Sequence, residues 1–110
     1  MKAEMSFTYW EAPIIRRKKT PTEIIDIVAE EMNILPMIIC SKSRKREIVD
    51  ARRIIANYLC KQGQTLTSIG RLLGGRDHST IIALRESYKD IYPTDRVFKR
   101  IADKINQVLN

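Results

Sequence analysis

The sequence predicts an all-α domain of about six helices. Apolar residues recur three and four positions apart along most of the chain, the period of a helix with one buried face. No segment alternates apolar and polar residues convincingly over strand length. Proline, glycine and short polar residues fall where one apolar period ends and the next begins.

Residues 1–19 show no helical period and read as an extended or flexible N-terminal segment. They carry Phe7, Tyr9 and Trp10, suited to docking as a short extended stretch, then Pro13 and the basic run Arg16-Arg17-Lys18-Lys19. That run reads first as a solvated linker and second as a phosphate contact. The domain itself is expected over 20–110. Thr20 is a good N-cap, Pro21 fits the first helical position, and Glu23 completes a capping box. Ile24, Ile27, Val28 and Met32 then make one apolar face, Asn33 ends the helix, and Pro36 opens a short turn through Met37, Ile38 and Ile39.

From Ser41 a basic loop runs into a long helix that ends near Gln62, with Gly63 as the residue that stops it. Ile48, Ile55 and Leu59, with Ala51, Ile54 and Tyr58 beside them, mark its buried side. Leu66, Ile69 and Leu73 share a face of a short helix ended by Gly74-Gly75. Asp77 then N-caps a helix that turns Ile81, Leu84, Tyr88 and Ile91 inward. Pro93 stops it, Thr94 caps another, and Val97, Ile101, Ile105 and Val108 run down the last one.

A chain of 110 residues supplies one small domain with a single core, and 44% hydrophobic against 30% charged residues is a globular balance. Aromatics are only 6%, so an aliphatic core is expected. Twenty Lys and Arg against thirteen Asp and Glu give a net charge of +7. That excess suits a polyanion, because cations that displace counterions from phosphates gain binding free energy. A merely solvated basic surface is the plainer account. Cys40 and Cys60 cannot complete a zinc site with one His, so no metal is expected and the thiols read as reduced and half-buried. No signal peptide opens the chain, and no apolar run approaches the ~18–20 residues of a membrane span, so a cytoplasmic protein is expected.

A short helix, a glycine-containing turn and a second helix of about thirteen residues is the helix-turn-helix layout, in which the first turn of the second helix meets base edges in the major groove. Here that turn reads Arg76-Asp77-His78-Ser79-Thr80. Asp77 can accept from a cytosine amino group, Ser79 and Thr80 can donate or accept, and His78 can offer a ring nitrogen. Arg76, just before the helix, suits a phosphate or a guanine. Taken singly, Asp77 is an ordinary N-cap and Ser79 and Thr80 fill a first turn; Gly-Gly-Arg before them and His among them are not needed for capping.

Gly74-Gly75-Arg76-Asp77-His78-Ser79-Thr80 resembles the GGRDHTTV signature of the C-terminal DNA-binding domain of the DnaA family of bacterial replication initiators. The similarity covers about residues 20–109. Ser41-Lys42-Ser43-Arg44-Lys45-Arg46 stands where the family has its SKRRSR-like basic loop, and Leu66-Thr67-Ser68-Ile69-Gly70 where it reads LPEIG. The resemblance implies a fold like that of Trp repressor and DnaA domain IV, and monomeric recognition of a short duplex box of the TTATNCACA type. It implies base reading by Asp77, His78, Ser79 and Thr80, joined here by Arg76. It also implies minor-groove entry by Arg44 and phosphate contacts at Leu66 and Thr67. Lys42, Lys45, Arg46, Arg52 and Arg53 are the further phosphate candidates. Ser79 departs from the family's Thr and lacks a methyl for a thymine methyl, Thr67 replaces Pro, and Arg85-Glu86-Ser87 replaces Cys-Arg-Lys.

Gly70 and Gly75 echo a Walker A loop, but Arg76-Asp77 replaces its Lys-[Ser/Thr] and no strand precedes it. No nucleotide or other cofactor is therefore expected. Asp77 and His78 have no nucleophile or oxyanion site beside them, so no catalytic residue and no enzyme are expected. The expectation is a stand-alone module that binds double-stranded DNA without ATPase activity and regulates or supports replication initiation or transcription. A full-length initiator or another replication protein is the further partner, and no stable membrane insertion is expected. The alternatives are a basic amphipathic protein on anionic lipid, through the 44–59 helix, and an RNA-binding helical domain.

Overall fold

The computed structural model describes residues 19–110, which form six α-helices and, among the described residues, no strand. The expectations for Phe7, Tyr9, Trp10 and Arg16 to Lys18 lie outside them. Lys19 is described, and its ammonium donates to the Leu109 carbonyl at 3.1 Å.

Helix α1 (Pro21–Met32) starts on a reciprocal cap: the Thr20 hydroxyl accepts from the Glu23 N–H at 3.2 Å and the Glu23 carboxylate from the Thr20 N–H at 2.8 Å. Asn33, left-handed at φ 58°, ends it. A single turn, α2 (Pro36–Ile39), leads through the basic loop to α3 (Arg46–Lys61), the central helix, which packs against α1, α2, α4 (Leu66–Leu72) and α5 (His78–Ile91). α6 (Arg96–Leu109) closes the far side of α1. Ile24, Val28, Ile39, Ile54, Ile55, Leu59, Ile69, Leu73 and Ile81 are fully enclosed between these helices. Ile27 and Met32 are only partly buried, because Ile25 and Ala29 share the inner face of α1.

The core is aliphatic except at the α5–α6 junction. There Phe98 meets Tyr88 edge-on with ring centroids 5.4 Å apart, and Tyr88 stacks on Tyr92 at 5.5 Å. The Tyr92 hydroxyl donates to the Asp103 carboxylate, which pushes the phenol up to about 12.

Two expectations about α6 need correction. Asp95, not Thr94, is the N-cap: its carboxylate accepts from the Phe98 N–H at 3.0 Å, while the Thr94 hydroxyl turns back to the Asp90 and Ile91 carbonyls. The buried face is Phe98, Ala102, Ile105 and Leu109, whereas Val97 is 65% and Val108 44% exposed. Phe98→Ala is therefore expected to cost about 3–5 kcal/mol, and Val97→Ala less than about 0.5 kcal/mol. Denaturant melts that rank the two the other way would restore the Val97 face.

The caps also set an acid limit. The Asp77 carboxylate lies below its ordinary value of 3.8, first because it accepts the Thr80 N–H and then the Thr80 hydroxyl. Asp95 is lowered by the Phe98 N–H and by Arg46. Depressed folded-state values mean that the stabilisation is complete above the ordinary value and lost as pH falls through the lowered ones. Asn also caps helices but does not titrate here. The Asp77→Asn/Asp95→Asn variant should therefore lose less melting temperature than the parent between about pH 5 and about pH 2. Equal losses would remove both caps as the source.

Candidate nucleic-acid interface

The first turn of α5 is held open to solvent by its cap. Asp77 Oδ1 accepts from the Thr80 N–H at 3.0 Å and from the Thr80 hydroxyl at 2.9 Å, which commits that proton and leaves the hydroxyl as an acceptor. Asp77, His78, Ser79 and Thr80 are all exposed. Arg44, Lys42 and Lys45 are exposed on the loop between α2 and α3. An open groove of about 790 Å³ joins the two elements, lined by Lys42, Arg44, Arg52, Gly74, Arg76 and Thr80 among others.

The remaining cations are placed differently. Arg46 and Arg53 converge on the buried Asp50 carboxylate: Arg46 Nε donates at 3.2 Å and Arg53 Nη1 at 2.5 Å. Arg46 also reaches Asp95 at 2.6 Å and stays largely exposed, whereas Arg53 is mostly enclosed and donates to Ser87 Oγ at 2.8 Å. Arg52 is 4% exposed, and each of its three nitrogens donates to a carbonyl: Nε to Ile39 at the end of α2 at 2.7 Å, and in the loop Nη1 to Ser43 at 2.7 Å and Nη2 to Ser41 at 2.6 Å. Burial, then repulsion from Arg76, holds its pKa below the usual value. The Arg76 guanidinium is half-buried and donates to the Leu73 carbonyl and, at 2.6 Å, to the same Ser41 carbonyl. Arg52 and Arg76, both expected at the nucleic acid, thus direct these donors to carbonyls of the protein. Leu66 packs partly against the core and Thr67 is exposed, both in the first turn of α4, away from the groove lining.

Sequence reasoning missed three features here. Asp50 collects two of the expected phosphate ligands. Gly70 lies directly beneath the turn, and its carbonyl accepts from both the Gly75 and Arg76 N–H groups at 2.9 Å. The Cys40 thiol, half-buried as expected, donates to the Leu72 carbonyl at 3.2 Å. Arg52 did leave a signal, since it falls in the period of Ile48, Ile55 and Leu59. The apolar face of α3 that a lipid surface would need is committed to the core. No described helix is long and apolar enough to cross a membrane.

The family model described as the bacterial dnaA protein helix-turn-helix matches residues 21–87, more than half of the chain. The chain belongs to this family. Its helix-turn-helix is α4, the Leu73–Arg76 turn and α5, and membership makes it a DNA-binding domain. Chromosomal replication initiator proteins DnaA are similar to it. That of Ureaplasma parvum is 46% identical over 69 residues, 62% of this chain and 15% of the relative. That of Spiroplasma citri is 31% identical over 108 residues, 96% of the chain and 24% of the relative. That of Campylobacter concisus is 37% identical over 89 residues, 78% and 20% respectively. The chain spans a quarter or less of the length of these relatives.

Proposed function

We propose that this domain reads DnaA-box-like sites in double-stranded DNA, without ATP hydrolysis or other catalysis of its own. The observation that carries this reading is the groove that Thr80, in the exposed first turn of α5, shares with Lys42 and Arg44 of the exposed loop. A recognition helix in the major groove with a basic arm reaching the adjacent minor groove needs that juxtaposition. Asp77, His78, Ser79 and Thr80 read base edges and Arg44 enters the minor groove. Lys42 and Lys45 neutralise phosphates, with Arg46 a weaker contributor because two carboxylates already hold it. The first turn of α4 offers backbone N–H groups at Leu66 and Thr67 to a phosphate.

Such a reader serves the cytoplasmic nucleoid, as a monomer on each box, by supporting or competing with a full-length initiator at origin or promoter sites. Selection from random duplexes followed by sequencing tests it. The expected outcome is enrichment of an asymmetric box related to TTATNCACA, with the base facing Ser79 the most relaxed position. Equal retention of all duplexes and of RNA at moderate salt would remove sequence reading.

A further inference from the structure

The Ser41 carbonyl is the meeting point of two guanidinium groups that come from different elements. Arg52 reaches it from beneath the loop on α3, and Arg76 from the helix-turn-helix turn, each at 2.6 Å. Arg52 also binds the Ile39 and Ser43 carbonyls, so one planar fork holds two carbonyls of the loop and the end of α2. Arg76 in turn ties Ser41 to the Leu73 carbonyl at the end of α4. The backbone closes the same junction: a Cβ on Gly74, at φ +93°, would run into the Cys40 carbonyl, and the Cys40 thiol bonds Leu72.

Taking the DNA-reading groove as its premise, we propose that Arg52 and Arg76 are positioning residues. They lock the basic loop to the start of α5, so that Arg44 and the Asp77–Thr80 turn meet the duplex as one preformed unit. A loop that had to be ordered on binding would lose affinity to conformational entropy. It would also tolerate altered spacing between its minor-groove and major-groove contacts. Arg52 is buried with Nε, Nη1 and Nη2 each on a carbonyl, and both terminal nitrogens of Arg76 bind carbonyls, so the geometry favours holding the loop over reading a base or a phosphate.

Lysine keeps the charge but loses the fork, so Arg52→Lys and Arg76→Lys test the proposal in the full chain, with melting curves to establish that both variants fold. Three quantities are read: affinity for a box of the TTATNCACA type over scrambled duplex, the salt slope of binding, and amide exchange of Ser43 and Lys45 in the free protein. The expected result is a loss of discrimination of at least about fivefold, the low end of one base contact. The salt slope should stay unchanged, and exchange at the loop should quicken without change in α1 or α6. Retained discrimination, or a slope lowered by about one in Arg76→Met as for a phosphate ligand, would overturn the clamp. A parent chain with no box preference would overturn the box reading alone. The clamp is then judged on loop exchange: faster exchange supports it, and unchanged exchange overturns it.

Discussion

Gly70→Ala is expected to lower the melting temperature of the domain by up to about 16 °C, net of the roughly 1 kcal/mol by which alanine is the better helix former. Gly70 lies in α4, one of whose faces is crossed by the returning turn. A Cβ there would sit closer to the Arg76 carbonyl oxygen than any real Cβ comes, with the carbonyl carbon only 3.1 Å away. The obstacle is backbone, which cannot swing aside as the end of a side chain can. Backbone displacement in a packed core costs about 1–3 kcal/mol and sometimes more. Each kcal/mol shifts the midpoint of a domain this size by about 4–8 °C. The strain does not stay local. The Gly70 carbonyl also anchors the Gly75 and Arg76 N–H groups, so relief by moving the turn would tilt the start of α5 and separate Arg76 from Ser41. Thermal melts and duplex binding of the same variant should therefore both fall. A melting temperature at or above the parent's would show that the turn relaxes freely and that Gly70 has no role in packing it.

Much of the fold is legible because its punctuation is chemical. Thr20 and Glu23, Asn33, Gly63 and Asp77 each supply a cap or a backbone conformation that few other residues give, and the helices begin and end beside them. α6 was misread for a reason periodicity cannot cure. Thr94 and Asp95 are both N-cap residues, and two apolar rows one residue apart both follow the helical period. Packing against α1 and Tyr88 decides between them, and those contacts are distant in sequence. The exposed part of the candidate site was equally legible, since Asp77 to Thr80 and Arg44 are polar residues with no apolar role to fill. Whether an arginine points outward is another matter. Arg52 sits on the inner row of α3 and its burial follows from position, but Arg76 owes its direction to a carbonyl 35 residues away. No local pattern announces such a partner.

His78→Ala and Lys45→Ala should separate reading from holding. His78 is exposed in the turn proposed to face a base edge, so its loss should lower preference for the box over scrambled duplex by about 1–3 kcal/mol, roughly fivefold to 150-fold. The salt slope should barely move, because His78 is proposed to meet a base edge and not a phosphate. Lys45 is exposed on the loop and should act on both duplexes alike, weakening each and lowering the slope by about 0.9, one counterion's worth. Arg46 is the informative third case. It follows Lys45 in sequence and carries the same formal charge, but Asp50 and Asp95 already face its guanidinium at 3.2 and 2.6 Å. A phosphate would have to compete with two carboxylates for it, so Arg46→Ala should change the slope by much less than Lys45→Ala. Its cost should appear instead in stability, through an Asp50 left with Arg53 alone and an α6 cap without its cation. Binding measured across a salt series, beside melting curves for all three variants, resolves these contributions. If Arg46→Ala lowers the slope as much as Lys45→Ala, the ion pairs open on the duplex and the Asp50 junction is part of the DNA-bound interface.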